Sequence, residues 1–245
     1  MLFRSPAETF EFINDYLGHL GPAITGCNGV VDKYVGDAVM ALFPNSADDA
    51  VRGSLEMLRS LERFNAERAK AKAPGIRIGI GLHTGTLMLG TVGDHQRMDT
   101  TVISDAVNLA SRVENLTKTY GVPLIMTEET YQALKDPAHT SVRRIDRVLV
   151  QGRSQAVVLY EVLDAEGALE RAAKLSSLPD FEAALNCYDA LDFTDAITHL
   201  ERALSILPSD SVAQLLLERS RRFEKEGTAS IEDGAIRLQK ADSLK

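Results

Sequence analysis

The run Val31-Asp32-Lys33-Tyr34-Val35-Gly36-Asp37-Ala38-Val39-Met40-Ala41-Leu42 reads as two short apolar strands folded back on each other at Gly36-Asp37. A glycine-containing dipeptide between two such runs is a hairpin signal. Lys33 then lies in the first strand and Asp37 at the tip. A carboxylate at a hairpin tip is rigidly held and accessible, which suits an oxygen ligand for Mg²⁺. More commonly, an aspartate in a turn satisfies only the local backbone. Lys33 needs a counter-group in a largely apolar strand, because an unpaired buried ammonium is costly. A salt bridge to Asp32 is one answer, and the ring nitrogen of a nucleobase is another.

A second stretch makes sense only beside the first. Thr101-Val102-Ile103 reads as a short strand, and Asp105-Ala106-Val107-Asn108-Leu109-Ala110-Ser111-Arg112 opens a helix that reaches about Tyr120. Asn108 and Arg112, four residues apart, share a helix face, whereas Leu109 and Val113 point elsewhere. Such a pair ordinarily faces solvent; it also suits a cleft that holds a ligand. Thr101 offers a hydroxyl from the preceding strand, although strand threonines are ordinary.

Outward from these stretches, Ser5-Pro6-Ala7-Glu8 has the form of a capping box with proline at the first helical position. Phe10, Ile13, Leu17 and Leu20 follow at helical spacing. Val51, Leu55, Leu58 and Leu61 mark an amphipathic helix from Asp48 to Lys70. Strands are predicted over 76–82, 86–89, 124–126, 142–150 and 157–162, with a polar loop over 93–100 and a short helix over 128–135. Helices alternating with hairpin-connected strands predict an α+β fold: a ferredoxin-like antiparallel sheet covered by helices, not a doubly wound parallel one. Gly79, Gly81 and Gly85 miss the dinucleotide fingerprint by one residue and precede a strand pattern instead of a helix, which rules out a Rossmann site.

After about Asp164 the texture changes to alanine, leucine and charge. Helices are predicted over 181–191 and 194–207, with small residues Ala184, Ala196 and Ala203 where helices can approach. A third, capping helix is predicted over 212–226. The pair resembles a single tetratricopeptide repeat, a small all-α extension. The expected organisation is an α+β domain over 1–164, helices over 165–227 and a flexible tail over 228–245.

Composition bounds the function. The chain has 245 residues, 44% hydrophobic and 25% charged, with a net charge of −8. An acidic chain without a basic run makes a poor nucleic-acid binder. Cys27 and Cys187 stand far apart, as free thiols of a reducing compartment do. No apolar stretch approaches about 18 residues and the start lacks a signal-peptide pattern, so the expected location is cytoplasmic, without a membrane segment. The histidines (His19, His83, His95, His139 and His199) follow no ligand pattern, and no Ser/His/Asp grouping emerges.

In order and spacing, the two motifs resemble the catalytic domain of class III adenylate and guanylate cyclases over about residues 5–163, strengthened by Gly79-Ile80-Gly81-Leu82-His83-Thr84-Gly85 between them. The resemblance implies that Asp37 is one of two metal-binding aspartates, for Mg²⁺ or Mn²⁺. By the same resemblance Lys33 and Thr101 read the purine, Asn108 orients the ribose and Arg112 stabilises the pentavalent phosphorane. Arg153 stands where the family usually has a phosphate-contacting lysine. Lysine can donate to adenine N1 and threonine can accept from the exocyclic amine, whereas guanine presents a donor at N1. Family guanylate cyclases usually carry glutamate and cysteine at these two positions, so ATP is the implied substrate and cyclic AMP the product, in intracellular signalling. A head-to-tail homodimer is also implied, with metal aspartates from one subunit and the Lys, Asn and Arg groups from the other.

Departures from the family pattern set the alternatives. Members open with a strand carrying an aspartate followed by Phe-Thr, whereas Met1-Leu2-Phe3-Arg4-Ser5 stands immediately before the first helix. Glu8, Glu11 and Asp15 lie inside that helix pattern and cannot replace the missing ligand. The expectation is therefore an N-terminally truncated domain lacking its first strand. Thr100 and Ser104 replace a usual tyrosine and glycine. Besides an adenylate cyclase, two readings stand: an inactive module that dimerises or binds nucleotide, its C-terminal helices recruiting a protein partner, and a guanylate cyclase.

Overall fold

A computed structural model describes residues 5–93, 98–150, 155–227, 231–232 and 235–237. In chain order its elements are α1 (Pro6–Thr25), β1 (Val30–Val35), β2 (Ala38–Leu42), α2 (Ala47–Lys70), β3 (Ile80–Leu82), β4 (Met88–Gly93), β5 (Met98–Ile103) and α3 (Asp105–Tyr120). They continue with β6 (Leu124–Thr127), α4 (Glu128–Gln132), β7 (Val142–Leu149), β8 (Val157–Val162), α5 (Ala168–Asp189), α6 (Phe193–Ile206), α7 (Ser211–Glu226), β9 (Ile231–Glu232) and β10 (Ala235–Arg237). These elements form two compact units: residues 1–78, 85–107 and 133–135, and residues 79–84, 108–132 and 136–245.

In the first unit the capping box forms as the sequence predicts. Ser5 Oγ accepts from the Glu8 amide at 3.2 Å, and the Ser5 amide donates to Glu8 Oε2 at 2.7 Å. Tyr16 and Leu20 of α1 meet Leu61 and Phe64 of α2 in a small core, with Ile76 and Ile78 packed against it. That packing explains why the strand predicted from residue 76 begins only at Ile80. The Asn65 side-chain amide takes both backbone groups of Ile76, donating to its carbonyl and accepting from its N–H at 2.8 Å each, in place of a strand ladder. β1 and β2 form one antiparallel two-stranded sheet, and β4 and β5 another. Of the polar loop predicted over 93–100, residues 93 and 98–100 are strand, in a ladder that runs from Met88↔Ile103 to Gly93↔Met98, and 94–97 lie outside the described residues.

The second unit holds a six-stranded sheet in the order β3-β6-β8-β7-β10-β9. Its centre, β6–β8–β7, is antiparallel, while β3 joins β6 and β10 joins β7 in parallel. The α+β class holds, with a mixed sheet. β9 and β10 arise where the sequence shows no pattern after Gly227. α4 stops at Gln132, short of the predicted Lys135. α5 starts at Ala168 and runs through Pro179, which lies within it, whereas the sequence predicts a helix only from Phe181. One core runs from Leu109, Val113 and Tyr120 of α3 through Ile125, Ile145 and Leu159 of the sheet to Phe181, Leu200 and Leu216 of the C-terminal helices. Ala184, Ala196 and Ala203 are buried in it, at the small positions read from sequence. Among the described residues no helix is long and apolar enough to cross a membrane.

Candidate active site

The β1–β2 hairpin closes in register at Val35↔Ala38, leaving Gly36 and Asp37 as its two-residue tip. Gly36 has φ 65°, a left-handed conformation that costs glycine little, with open space where a Cβ would stand. Asp37 is exposed. Its charge reaches back to α1: burial first, and Asp37 second, push the Tyr16 phenol up to about 12.

Lys33 pairs with Met40, and the register shifts between Val31 and Lys33, so that Asp32 sits in a bulge. Bulges re-aim neighbouring side chains. Asp32 Oδ2 is 3.2 Å from Lys33 Nζ, with side chains 8% and 40% exposed respectively. That oxygen is buried without a hydrogen-bond partner. The contact is therefore an ion pair without hydrogen-bond alignment, the plain alternative offered for Lys33, and it leaves the ammonium within reach of solvent.

Asn108 and Arg112 ride on α3 in the second unit. The helix buries Leu109, Val113, Thr117 and Tyr120, one stripe at helical spacing. Asn108 is exposed and Arg112 half-buried beside that stripe. What lets α3 lie so close to β3 is the glycine pair that superficially suggested a phosphate loop. A Cβ at Gly81 would come within 2.2 Å of the Glu114 amide nitrogen and 2.5 Å of the Ala110 carbonyl oxygen. One at Gly79 would come within 1.9 Å of Thr117 Oγ1. These glycines therefore serve the approach of a helix to a strand.

Thr101 lies in β5 opposite Gly90, its side chain outside the described residues. Arg153 also lies outside them. Lys33, Asp37 and Thr101 belong to the first unit; Asn108 and Arg112 belong to the second. Among the described residues no group of three or more His, Cys, Asp or Glu side chains could hold a metal unaided. Asp37 nonetheless fits Mg²⁺ as a single accessible hard-oxygen donor, since that ion commonly takes one or two carboxylates and completes its shell with water and substrate phosphates. Sequence reading missed the buried charges Arg143, Asp146, Asp210 and Arg219. In sequence they look like the charges of any solvated face.

Residues 4–163 match the family described as the adenylate and guanylate cyclase catalytic domain. The chain is 47% identical over 163 residues to an adenylate cyclase of Anabaena cylindrica, covering 64% of this chain and 32% of that protein. It is 34% identical over 218 residues to the terminal-differentiation-specific adenylate cyclase of Dictyostelium discoideum, covering 86% of this chain and 10% of that one. The chain thus spans a third or less of these relatives. A bacterial light-regulated adenylyl cyclase structure matches with TM-score 0.59 and 27% identity, over 69% of this chain and 49% of that one. A guanylyl cyclase structure matches with TM-score 0.57 and 28% identity, over 65% and 82% of the two chains. The chain belongs to the adenylate and guanylate cyclase catalytic-domain family.

Proposed function

We propose that the chain converts ATP to cyclic AMP and pyrophosphate. The observation that carries this reading is the placement of Asn108 and Arg112 on the unburied side of α3, where an amide and a guanidinium are presented together. The adenylate cyclase of Anabaena cylindrica, at 47% identity, supports the nucleotide assignment.

In this proposal the ribose 3′-oxygen attacks the α-phosphorus, the bond to the bridging oxygen breaks, and pyrophosphate leaves. Asn108 orients the ribose so that the attacking oxygen stays in line. Arg112 offsets the negative charge that grows on the reacting phosphoryl oxygens. Lys33 donates to adenine N1, exchanging its bulge partner Asp32 for the base, and Thr101 accepts from the exocyclic amine. Asp37 would hold a divalent cation, Mg²⁺ or Mn²⁺, together with the nucleotide, and that ion would supply charge to acidify the attacking hydroxyl and offset the phosphates. Arg153 contacts the phosphates. Two copies assemble head to tail, with Asp37 from one and Lys33, Thr101, Asn108 and Arg112 from the other serving each nucleotide.

The test is formation of cyclic AMP from ATP with Mg²⁺ and with Mn²⁺. Arg112→Ala is expected to lower kcat by about 10²–10³ with KM little changed, the signature of an interaction made in the transition state. Preference for GTP would replace the proposal with the guanylate reading. Nucleotide binding without turnover would replace it with an inactive, nucleotide-binding module.

A further inference from the structure

α3 ends at Tyr120, and its last turn is gripped by α7. Ser211, the first residue of α7, donates its hydroxyl to the Tyr120 carbonyl oxygen at 2.6 Å. The Tyr120 hydroxyl donates to Asp146 Oδ2 of β7 at 2.5 Å. Two turns further along α7, Arg219 Nη1 donates to the same oxygen at 2.6 Å. Tyr120, Asp146 and Arg219 are all buried. Burial first, and the Asp146 carboxylate second, hold the Tyr120 phenol well above its ordinary pKa, so it remains a hydrogen-bond donor.

The start of α7 is pinned in turn. Asp210 caps the helix by accepting from the amides of Val212 and Ala213, while Arg143 of β7 donates to both its oxygens at 2.6 and 2.8 Å. Arg143 also donates to Glu161 of β8, and Lys174 of α5 donates to that same carboxylate. Arg143, Asp210, Glu161 and Lys174 each meet an opposite charge, and breaking one such pair strands its partner without water, while Arg219 keeps Nε and Nη2 buried without a hydrogen-bond partner. This grip is therefore built from directional bonds beside an apolar core.

We propose that the C-terminal helices are a positioning element for the reaction: α7, through Ser211 and Arg219, holds Tyr120 and Asp146 and so fixes the helix that presents Asn108 and Arg112. The inference rests on the cyclase reading above. An α-helix rises 1.5 Å per residue, so the grip lies about 12 Å from Arg112 and about 18 Å from Asn108, on one continuous rod. A small tilt at one end displaces the other, and a misplacement of about 1 Å at a reacting centre costs as much as about a hundredfold in rate. Tyr120, Asp146, Ser211 and Arg219 are thus positioning residues.

Tyr120→Phe removes the hydroxyl and keeps the ring, while Asp146 retains Arg219 and the Arg147 amide as donors. Ser211→Ala removes the other bond. Each variant is expected to lower kcat about tenfold or more with KM for ATP within about twofold, since positions needed only in the transition state are disturbed. Arg221→Ala, which breaks an exposed pair between α7 and Glu201 of α6, is expected to leave kcat unchanged. With Arg112→Ala already present, Tyr120→Phe is expected to cost less than in the wild type, because Tyr120 acts in part through Arg112. Equal losses in both backgrounds, or an unchanged kcat, overturn the proposal. If the wild type turns over neither ATP nor GTP, the cyclase reading fails, and hydrogen exchange decides the grip by itself. Faster exchange at the amides of residues 108–112 in Tyr120→Phe upholds the coupling along α3, and unchanged exchange there overturns it.

Discussion

Lys33 is where substrate choice is expected to be decided. Its ammonium lies 3.2 Å from Asp32 Oδ2 and the side chain remains 40% exposed, so it reaches solvent, where a base can meet it. A donor there matches the lone pair at adenine N1 and opposes the N–H of guanine. Lys33→Glu combined with Thr101→Cys reverses that edge. The ratio of kcat/KM for GTP over ATP is expected to rise at least about a hundredfold, because sites built on hydrogen bonds to a base reject the mismatched edge strongly. Absolute activity falls as well, since a carboxylate at position 33 stands beside Asp32. The ratio is therefore the readout, and an unchanged ratio removes Lys33 from base recognition. The chemistry of this residue was legible: a lysine in an apolar strand demands a partner, and Asp32 was a named candidate. The bulge at Asp32 was not legible, since it arises from a register shift against Val39–Ala41 that no local pattern encodes. Nor were Arg143 and Arg219, whose alternation along β7 and α7 resembles solvent-facing charge until the neighbouring element is known.

At the scale of elements, the glycines before α3 show how a sequence pattern misleads and then informs. Gly79-x-Gly81 invites a phosphate loop, yet both glycines serve the approach of α3 to β3. Gly81→Ala places a methyl group 2.2 Å from the Glu114 amide nitrogen, a backbone atom that cannot rotate aside. Either β3 or α3 must move, at a cost of about 1–3 kcal/mol in stability. The variant is expected to unfold at lower denaturant concentration and to lose more activity than stability, because the displaced helix carries Asn108 and Arg112. Native stability with full turnover would show that the helix has slack there. The capping box of α1, the hairpin of β1 and β2 and the span of α3 were legible because local chemistry specifies them. The β4–β5 ladder was legible only at its Met88↔Ile103 end, and the first half of α5 was not. The run from Gly93 to Thr100 is polar and shows no alternation, and α5 runs through Pro179, a residue that ordinarily interrupts a helix. The change in texture near Asp164 is visible in sequence, but the sharing of one core between sheet and C-terminal helices emerges only from long-range packing.

For the molecule as a whole, the tyrosines set an alkaline limit on stability. Of the six in the chain, Tyr16, Tyr120 and Tyr188 are buried, and burial is the leading cause that raises each of their pKa values. A nearby carboxylate adds to it, Asp37 for Tyr16 and Asp146 for both others. In the unfolded chain a tyrosine ionises near pH 10. Below that pH both states hold the proton, and the contribution of these phenols to stability is fully present. As pH rises past about 10 the unfolded chain sheds protons that the folded chain retains, so the balance shifts toward unfolding and the contribution is lost through the folded-state pKa. For Tyr16 that window ends at about 12. The three phenols are expected to ionise late and, for Tyr120 and Tyr188, together with loss of structure, read as near-ultraviolet phenolate absorbance against far-ultraviolet dichroism. Tyr120→Phe is expected to reduce the steepness of the alkaline transition, because one linked proton is removed. If all six phenols ionised near pH 10 with the fold intact, neither the burial of Tyr120 nor the α7 grip that depends on its hydroxyl would stand.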